Sequence, residues 1–191
     1  MTNIAIFASG NGTNFEAIVN AVNNKIIKNA VVSILIVDRH KAYAIERAKK
    51  LNIPYVYVNA TKFNTREEYE NEIINILKPY NIDIICLAGY MKILTHVLLD
   101  EYENRIINIH PALLPSFKGA HGIKDAFDYG CKVFGVTVHY VSSELDSGKI
   151  IAQRAFEYYG NSLDDLETKI HSVEHILYPE AINMVIEEKQ K

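Results

Sequence analysis

The sequence predicts an α/β fold: an open, mostly parallel twisted sheet flanked by helices, with an antiparallel hairpin in the C-terminal half. Three observations carry this. Short β-branched runs alternate with helix-periodic stretches through the first half of the chain. Those runs are apolar throughout rather than alternating, as strands covered on both faces are. Later, two longer strand-like runs are separated by a turn too short for a crossover helix, so they pair antiparallel.

In order, strands are expected at Ile4–Ala8, Val31–Val37, Tyr55–Val58 and Ile82–Leu87. Helical periodicity covers Phe15–Asn24, Ala42–Leu51 and Thr65–Leu77. For the third helix, Asn64 is the expected N-cap and Glu67 the residue reaching back to it in a capping box. Ile106–Ile109 is a further short strand, running into the proline-punctuated segment Pro111-Ala112-Leu113-Leu114-Pro115. Val133–Val141 and Lys149–Glu157 form the hairpin around Glu144-Leu145-Asp146-Ser147-Gly148. A last helix starts near Leu163, with Leu163, Leu166, Ile170, Val173 and Leu177 in one stripe, and Pro179 is expected to kink or restart it. No repeat or linker interrupts the chain. A single domain over residues 1–191 is expected, nucleotide-binding-like over about 1–100 and specialised over about 101–191.

Composition narrows the function. With 191 residues, 49% of them hydrophobic and 23% charged, the chain can bury a full core without metal or disulfide staples. A net charge of −3 and no long basic run argue against a nucleic-acid partner. No apolar run reaches membrane-spanning length, and the N-terminus has no signal-peptide pattern. Cys86 and Cys131 lack metal or redox spacing and are read as reduced core thiols of a cytoplasmic protein. Partners are therefore expected to be small molecules, with no membrane or nucleic acid involved.

Ser9-Gly10-Asn11-Gly12-Thr13-Asn14 joins the first strand to the first helix. Glycine there lets backbone N–H groups approach a ligand, and Thr13 or Asn14 can cap the helix whose N-terminus would hold a phosphate. A tight turn with a cap explains the same residues without a ligand. The dinucleotide fingerprint fails at Phe15, where a small residue is needed, and no Gly-Lys-Ser/Thr follows for a Walker loop. A monophosphate fits better. Asp38, at the end of the second strand, is then a loop residue paired with a neighbour.

Asn108-Ile109-His110 ends a buried strand, and alternation puts Asn108 and His110 on one face. An amide donor beside an imidazole at a strand's carboxyl end suits oxyanion stabilisation and proton exchange. The plainer alternative is a polar pair satisfying backbone groups beneath the proline loop. Asp146 is either an ordinary turn aspartate or a carboxylate that orients His110 and favours its charged form.

These segments, with Leu87-Ala88-Gly89-Tyr90-Met91-Lys92-Ile93-Leu94 and Glu174-His175, occur in the order seen in the folate-dependent formyltransferase family. The chain resembles that family over essentially its whole length, and its Ser-Gly-Asn-Gly-Thr-Asn loop resembles the phosphoribosylglycinamide formyltransferase branch. The resemblance implies a Rossmann-like formyltransferase fold and transfer of a formyl group from 10-formyltetrahydrofolate to a glycyl amine in purine synthesis, without a metal. It implies Asn108, His110 and Asp146 as catalytic residues. It implies Gly12, Thr13 and Asn14 at the substrate phosphate, and His171 and Glu174 at the ribonucleotide. It implies Arg66, Met91, Lys92, Ile93, Leu94, Asn108 and Val141 around the folate. His121 and His139 also fall at positions the family often gives to histidine, and neither is assigned catalysis. Two departures stand out: position 92 is often arginine in that family, and position 171 is often glutamine. Lysine lacks the planar fork of arginine.

One competing motif remains. His171-Ser172-Val173-Glu174-His175 fits the His-x-x-Glu-His pattern of a zinc hydrolase, with two histidines on one helix face. A catalytic zinc would still need a third ligand, and only Glu180, Glu187 and Glu188 follow.

Overall fold

The computed structural model describes residues 1–189. Its seven strands form one sheet in the order β3-β2-β1-β4-β5-β6-β7. They are β1 (Thr2–Ala8), β2 (Ala30–Val37), β3 (Tyr55–Tyr57), β4 (Ile84–Leu87), β5 (Ile106–His110), β6 (Val133–Tyr140) and β7 (Ile150–Glu157). The helices are α1 (Thr13–Asn23), α2 (Ala44–Lys50), α3 (Arg66–Leu77), α4 (His96–Glu101), α5 (Gly122–Tyr129) and α6 (Leu163–Glu188). The pairs β1–β2, β1–β4 and β2–β3 are parallel, while β6–β7 is antiparallel. The mostly parallel sheet with a late hairpin is as expected.

Two compact units divide the chain, Met1–Ile107 and Asn108–Lys191. In the first, residues 4–8 of β1 and 34–37 of β2 are buried without interruption, which explains why their sequences are apolar on both faces. The strand order reverses direction beside β1, so a crevice opens beyond the carboxyl ends of β1 and β4. There the Ser9 amide donates to the Gly89 carbonyl at 3.1 Å, and the Met91 amide donates to Ser9 Oγ at 2.9 Å. The helix α4 was not expected. It is held by the buried Glu70 carboxylate, which accepts from the Thr95 amide and hydroxyl and from the Leu98 amide.

In the second unit, α6 packs on β6 and β7. It runs unbroken through Pro179, so the expected restart does not occur. A helix-interior proline costs ~3 kcal/mol, and each fully buried large apolar side chain returns ~1.5–3 kcal/mol. Leu177, Ile182, Val185 and Ile186 are all buried around it, which is enough to carry the helix past the proline. The proline segment after β5 is anchored by the buried Thr137, whose hydroxyl donates to the Ala112 carbonyl and accepts from the Leu114 amide.

Three local expectations are corrected. The capping box of α3 sits one residue later: Thr65 Oγ1 accepts from the Glu68 amide, and the Glu68 carboxylate accepts from the Asn64 amide. Helix α1 is capped by Gly12 with φ at 77° and no side-chain cap, so neither Thr13 nor Asn14 performs that role. Cys86 is buried in β4, but Cys131 follows the end of α5 and is only half-buried.

Candidate active site

The end of β5 supplies Asn108 and His110, and the hairpin supplies His139 at the end of β6 and Asp146 in its turn. These four residues converge within the second unit. His110 Nδ1 lies 3.6 Å from one Asp146 carboxylate oxygen, and His139 Nε2 lies 3.7 Å from the other. Asn108 Nδ2 is 3.3 Å from His139 Nε2. His110 and His139 are 4% and 2% exposed.

Backbone carbonyls set the protons. His110 Nε2 is 2.8 Å from the Phe117 carbonyl, which can only accept, so Nε2 carries hydrogen. Any second proton on His110 therefore sits on Nδ1, facing Asp146. His139 Nδ1 donates to the Tyr140 carbonyl at 2.9 Å, so its Nε2 accepts from Asn108 in the neutral ring and turns donor toward Asp146 when the ring is protonated. Asp146 also accepts from the Gly119 amide at 2.8 Å. The hydrogen bond from His139 leads in holding the Asp146 carboxyl down to about 2; the Gly119 amide and the charges of both imidazoles add to it against burial. The result is a carboxylate ionised at every working pH, set between two imidazoles and beside an amide donor.

Backbone geometry marks the same place. Asp146 has φ at 48° and Phe117 at 52°, and a left-handed phenylalanine is the rarer of the two. At Gly148 an added Cβ would stand 1.6 Å from the Tyr140 carbonyl oxygen, so only glycine lets the turn close onto β6.

The first unit holds two further groups. The Ser9–Asn14 loop leads into α1 through Gly12, which has no side chain to cap the helix, so the positive end of the α1 dipole lies at this loop. Separately, a cavity of about 420 Å³ is lined by Arg66, Met91, Lys92, Ile93 and Leu94, five of the seven residues expected at the folate. It also includes Phe63, Asn64, Thr65, Tyr69 and Tyr90, which sequence reasoning did not select. Phe63 and Tyr69 pack edge to face, and the Tyr69 and Tyr90 hydroxyls are 2.7 Å apart. Burial pushes Tyr69 up to about 12 and raises Tyr90 further, so both phenols stay neutral. Lys92 Nζ lies 5.5 Å from the centre of the Tyr69 ring and 4.0 Å from Asp38, the neighbour with which Asp38 pairs.

The remaining expected residues lie in the second unit, outside the four-residue cluster. Val141 follows β6 and is half-buried. His171 is exposed on α6, and its Nδ1 donates to the buried Glu174 carboxylate at 2.9 Å; that hydrogen bond raises the His171 pKa. Among the described residues no group of three or more His, Cys, Asp or Glu could hold a metal ion, so His171 and His175 have no third ligand there.

His139 is the member that the sequence left unassigned. Beyond the histidine position noted in the resemblance, its signal was an imidazole in the expected strand Val133–Val141, where burial demands a polar partner.

The formyl transferase family model matches residues 2–182. The phosphoribosylglycinamide formyltransferase of Bacillus subtilis is 41% identical over 187 residues, covering 97% of this chain and 95% of that protein. The crystal structure of glycinamide ribonucleotide transformylase 1 from Geobacillus kaustophilus is 44% identical, with a TM-score of 0.93 over 97% of this chain and 98% of that one. The trifunctional purine biosynthetic protein adenosine-3 of Gallus gallus is 33% identical over 183 residues, 95% of this chain but 18% of that protein.

Proposed function

Because this chain belongs to the formyl transferase family, we propose that it transfers the formyl group of 10-formyltetrahydrofolate to the glycyl amine of N1-(5-phospho-D-ribosyl)glycinamide. The products are the N-formyl ribonucleotide and tetrahydrofolate, a step of de novo purine synthesis. The observation that carries this reading is the ionised Asp146 between His110 and His139, with Asn108 beside them.

The chemistry requires a neutral amine to attack the formyl carbon, forming a C–N bond while negative charge grows on the formyl oxygen. The free N–H of the Asn108 amide supplies a donor for that oxygen, and a protonated His110, whose N–H groups face Phe117 and Asp146, supplies positive charge beside it. Asp146 offsets the imidazolium charge and orders the water that carries the proton shed by the amine to the departing N10 of the folate. The C–N10 bond then breaks. No covalent enzyme intermediate is needed, and the reading assigns no metal.

Binding follows from the other groups. Backbone amides at Gly12, Thr13 and Asn14 suit a phosphate monoester, and the buried Glu174 carboxylate suits ribose hydroxyls, with His171 orienting it. The cavity couples apolar Met91, Ile93 and Leu94 with the cations of Arg66 and Lys92, a chemistry that fits a flat ring system ending in carboxylates. Asn108 and Val141 complete the folate set. We assign the enzyme to the cytoplasm because both substrates are soluble metabolites.

The direct test incubates the purified chain with the ribonucleotide and 10-formyltetrahydrofolate and follows formylated product by mass spectrometry. Product formation supports the reading. Binding of both compounds without turnover would reduce the chain to a ligand-binding module.

A further inference from the structure

We infer that Arg47 is a positioning residue for the phosphate: its guanidinium, reaching across from α2, holds the Ser9–Asn14 loop in its anion-binding shape before substrate arrives. This rests on the proposal above that the loop receives the phosphate.

Three donors of one planar group are used. Nε donates to the Asn11 carbonyl at 2.9 Å, Nη2 donates to Asn11 Oδ1 at 2.8 Å, and Nη1 pairs with the Glu16 carboxylate. The guanidinium carbon also lies 5.1 Å from the centre of the Tyr43 ring, a cation–π contact. The Arg47 side chain is 18% exposed; its pair with Glu16 is part-buried, and its two hydrogen bonds to Asn11 are exposed.

Two backbone features show that the loop is built against α2. The Ala44 amide, at the start of that helix, donates to the Gly10 carbonyl at 3.1 Å. Gly12 approaches so closely that an added Cβ would stand 2.6 Å from the Ala44 Cβ. The loop is thus braced at Gly10 and Gly12 by Ala44, and at Asn11 by Arg47.

The physical need is clear. A loop with two glycines has the widest backbone freedom, and amides bind phosphate only when they point at it together. A clamp on Asn11, between those glycines, supplies that order in advance, so less affinity is lost on binding. Glu16 adds a second reason. It lies in the first turn of α1, where its negative charge opposes an incoming phosphate unless a cation neutralises it. Because Nη1 is spent on Glu16, the net contribution of Arg47 is geometric rather than a free positive charge. Lysine would keep the charge but lose the fork.

The test compares parent, Arg47→Lys and Arg47→Gln in steady-state kinetics, calorimetric titration with inorganic phosphate, and thermal melting. Both variants should raise the KM of the ribonucleotide and the Kd of phosphate about tenfold, the size of one lost charge-assisted hydrogen bond. The KM of the folate donor and the saturated kcat should stay within about twofold, because none of Arg47, Asn11 or Glu16 lines the folate cavity. Unchanged phosphate affinity in a folded variant overturns the inference. So does full affinity in Arg47→Lys, which would make charge sufficient. An equal rise in donor KM would mean general damage and also overturns it. If Arg47→Gln fails to fold, Arg47→Lys decides. If the parent makes no formylated product, the proposed function fails, and the phosphate titration still decides whether Arg47 shapes an anion site.

Discussion

Asp146 combines a left-handed backbone with a side chain 8% exposed, two costs that an ordinary turn aspartate does not bear together. The imidazoles and the Gly119 amide offset them, and this makes the residue's role measurable. Its carboxyl titrates near 2 in the folded chain against an ordinary 3.8. A depressed acid stabilises the fold above its ordinary value and loses that contribution as pH falls through the folded one. Acid unfolding should therefore steepen below about pH 4 in the parent and less so in Asp146→Asn, as read by circular dichroism against pH. The same variant keeps the shape and removes the charge. Turnover should fall by about 10²–10⁴, the range for lost acid–base assistance, with both substrate affinities little changed. Turnover within a few-fold of the parent would return Asp146 to a turn residue. His171 titrates in the opposite sense. Its pKa is raised by Glu174, so the pair's contribution is full below His171's ordinary 6.5 and is lost as pH rises through the folded value.

Elements were legible to different degrees, and the reasons are local. Asn108 and His110 could be placed on one face because period-two alternation needs only the strand itself. His139 and Asp146 could not be placed with them, since their meeting depends on hairpin register, which shifts between Val138 and His139. Such an irregularity re-aims side chains near functional sites and leaves no signature in composition. The helix α4 was missed because it is six residues long and depends on Glu70, distant in sequence, to accept its first amides. The one-residue error at α3 arose because Asn64 and Thr65 are both good caps and Glu67 and Glu68 both good partners. Thr65→Ala should cost ~1 kcal/mol in urea unfolding, whereas Asn64→Ala, whose contribution is a backbone amide, should cost much less. Gly148→Ala should be worse than either. Its Cβ meets a backbone oxygen, so the turn must move and carry Asp146 with it, lowering melting temperature and turnover together.

At the scale of the whole chain, a net charge of −3 belongs to a protein proposed to bind a phosphate and a folate tail, both anions. Global attraction cannot supply that affinity, so it must come from local groups: oriented amides at Gly12–Asn14, and Arg66 with Lys92 in the cavity. Composition showed only that the chain is not a basic nucleic-acid binder. The local groups were visible as motifs, but the cavity's ring pair was not, because Phe63 and Tyr69 belong to a turn and a helix with no shared motif. Ligands held by such preformed groups bind the folded state and not the unfolded chain. At about 100 times its Kd, either compound should add ~2.7 kcal/mol to stability. For a chain of this size that corresponds to roughly 5–10 °C in melting temperature. Differential scanning fluorimetry with the ribonucleotide, then with a non-reactive folate analogue, reads each contribution separately. Lys92→Ala should shrink the folate shift and leave the ribonucleotide shift intact, while Arg47→Gln, which loosens the loop that orients the amides, should do the reverse. The same response of both variants to both ligands would mean that phosphate and folate are not recognised by separate sets of residues.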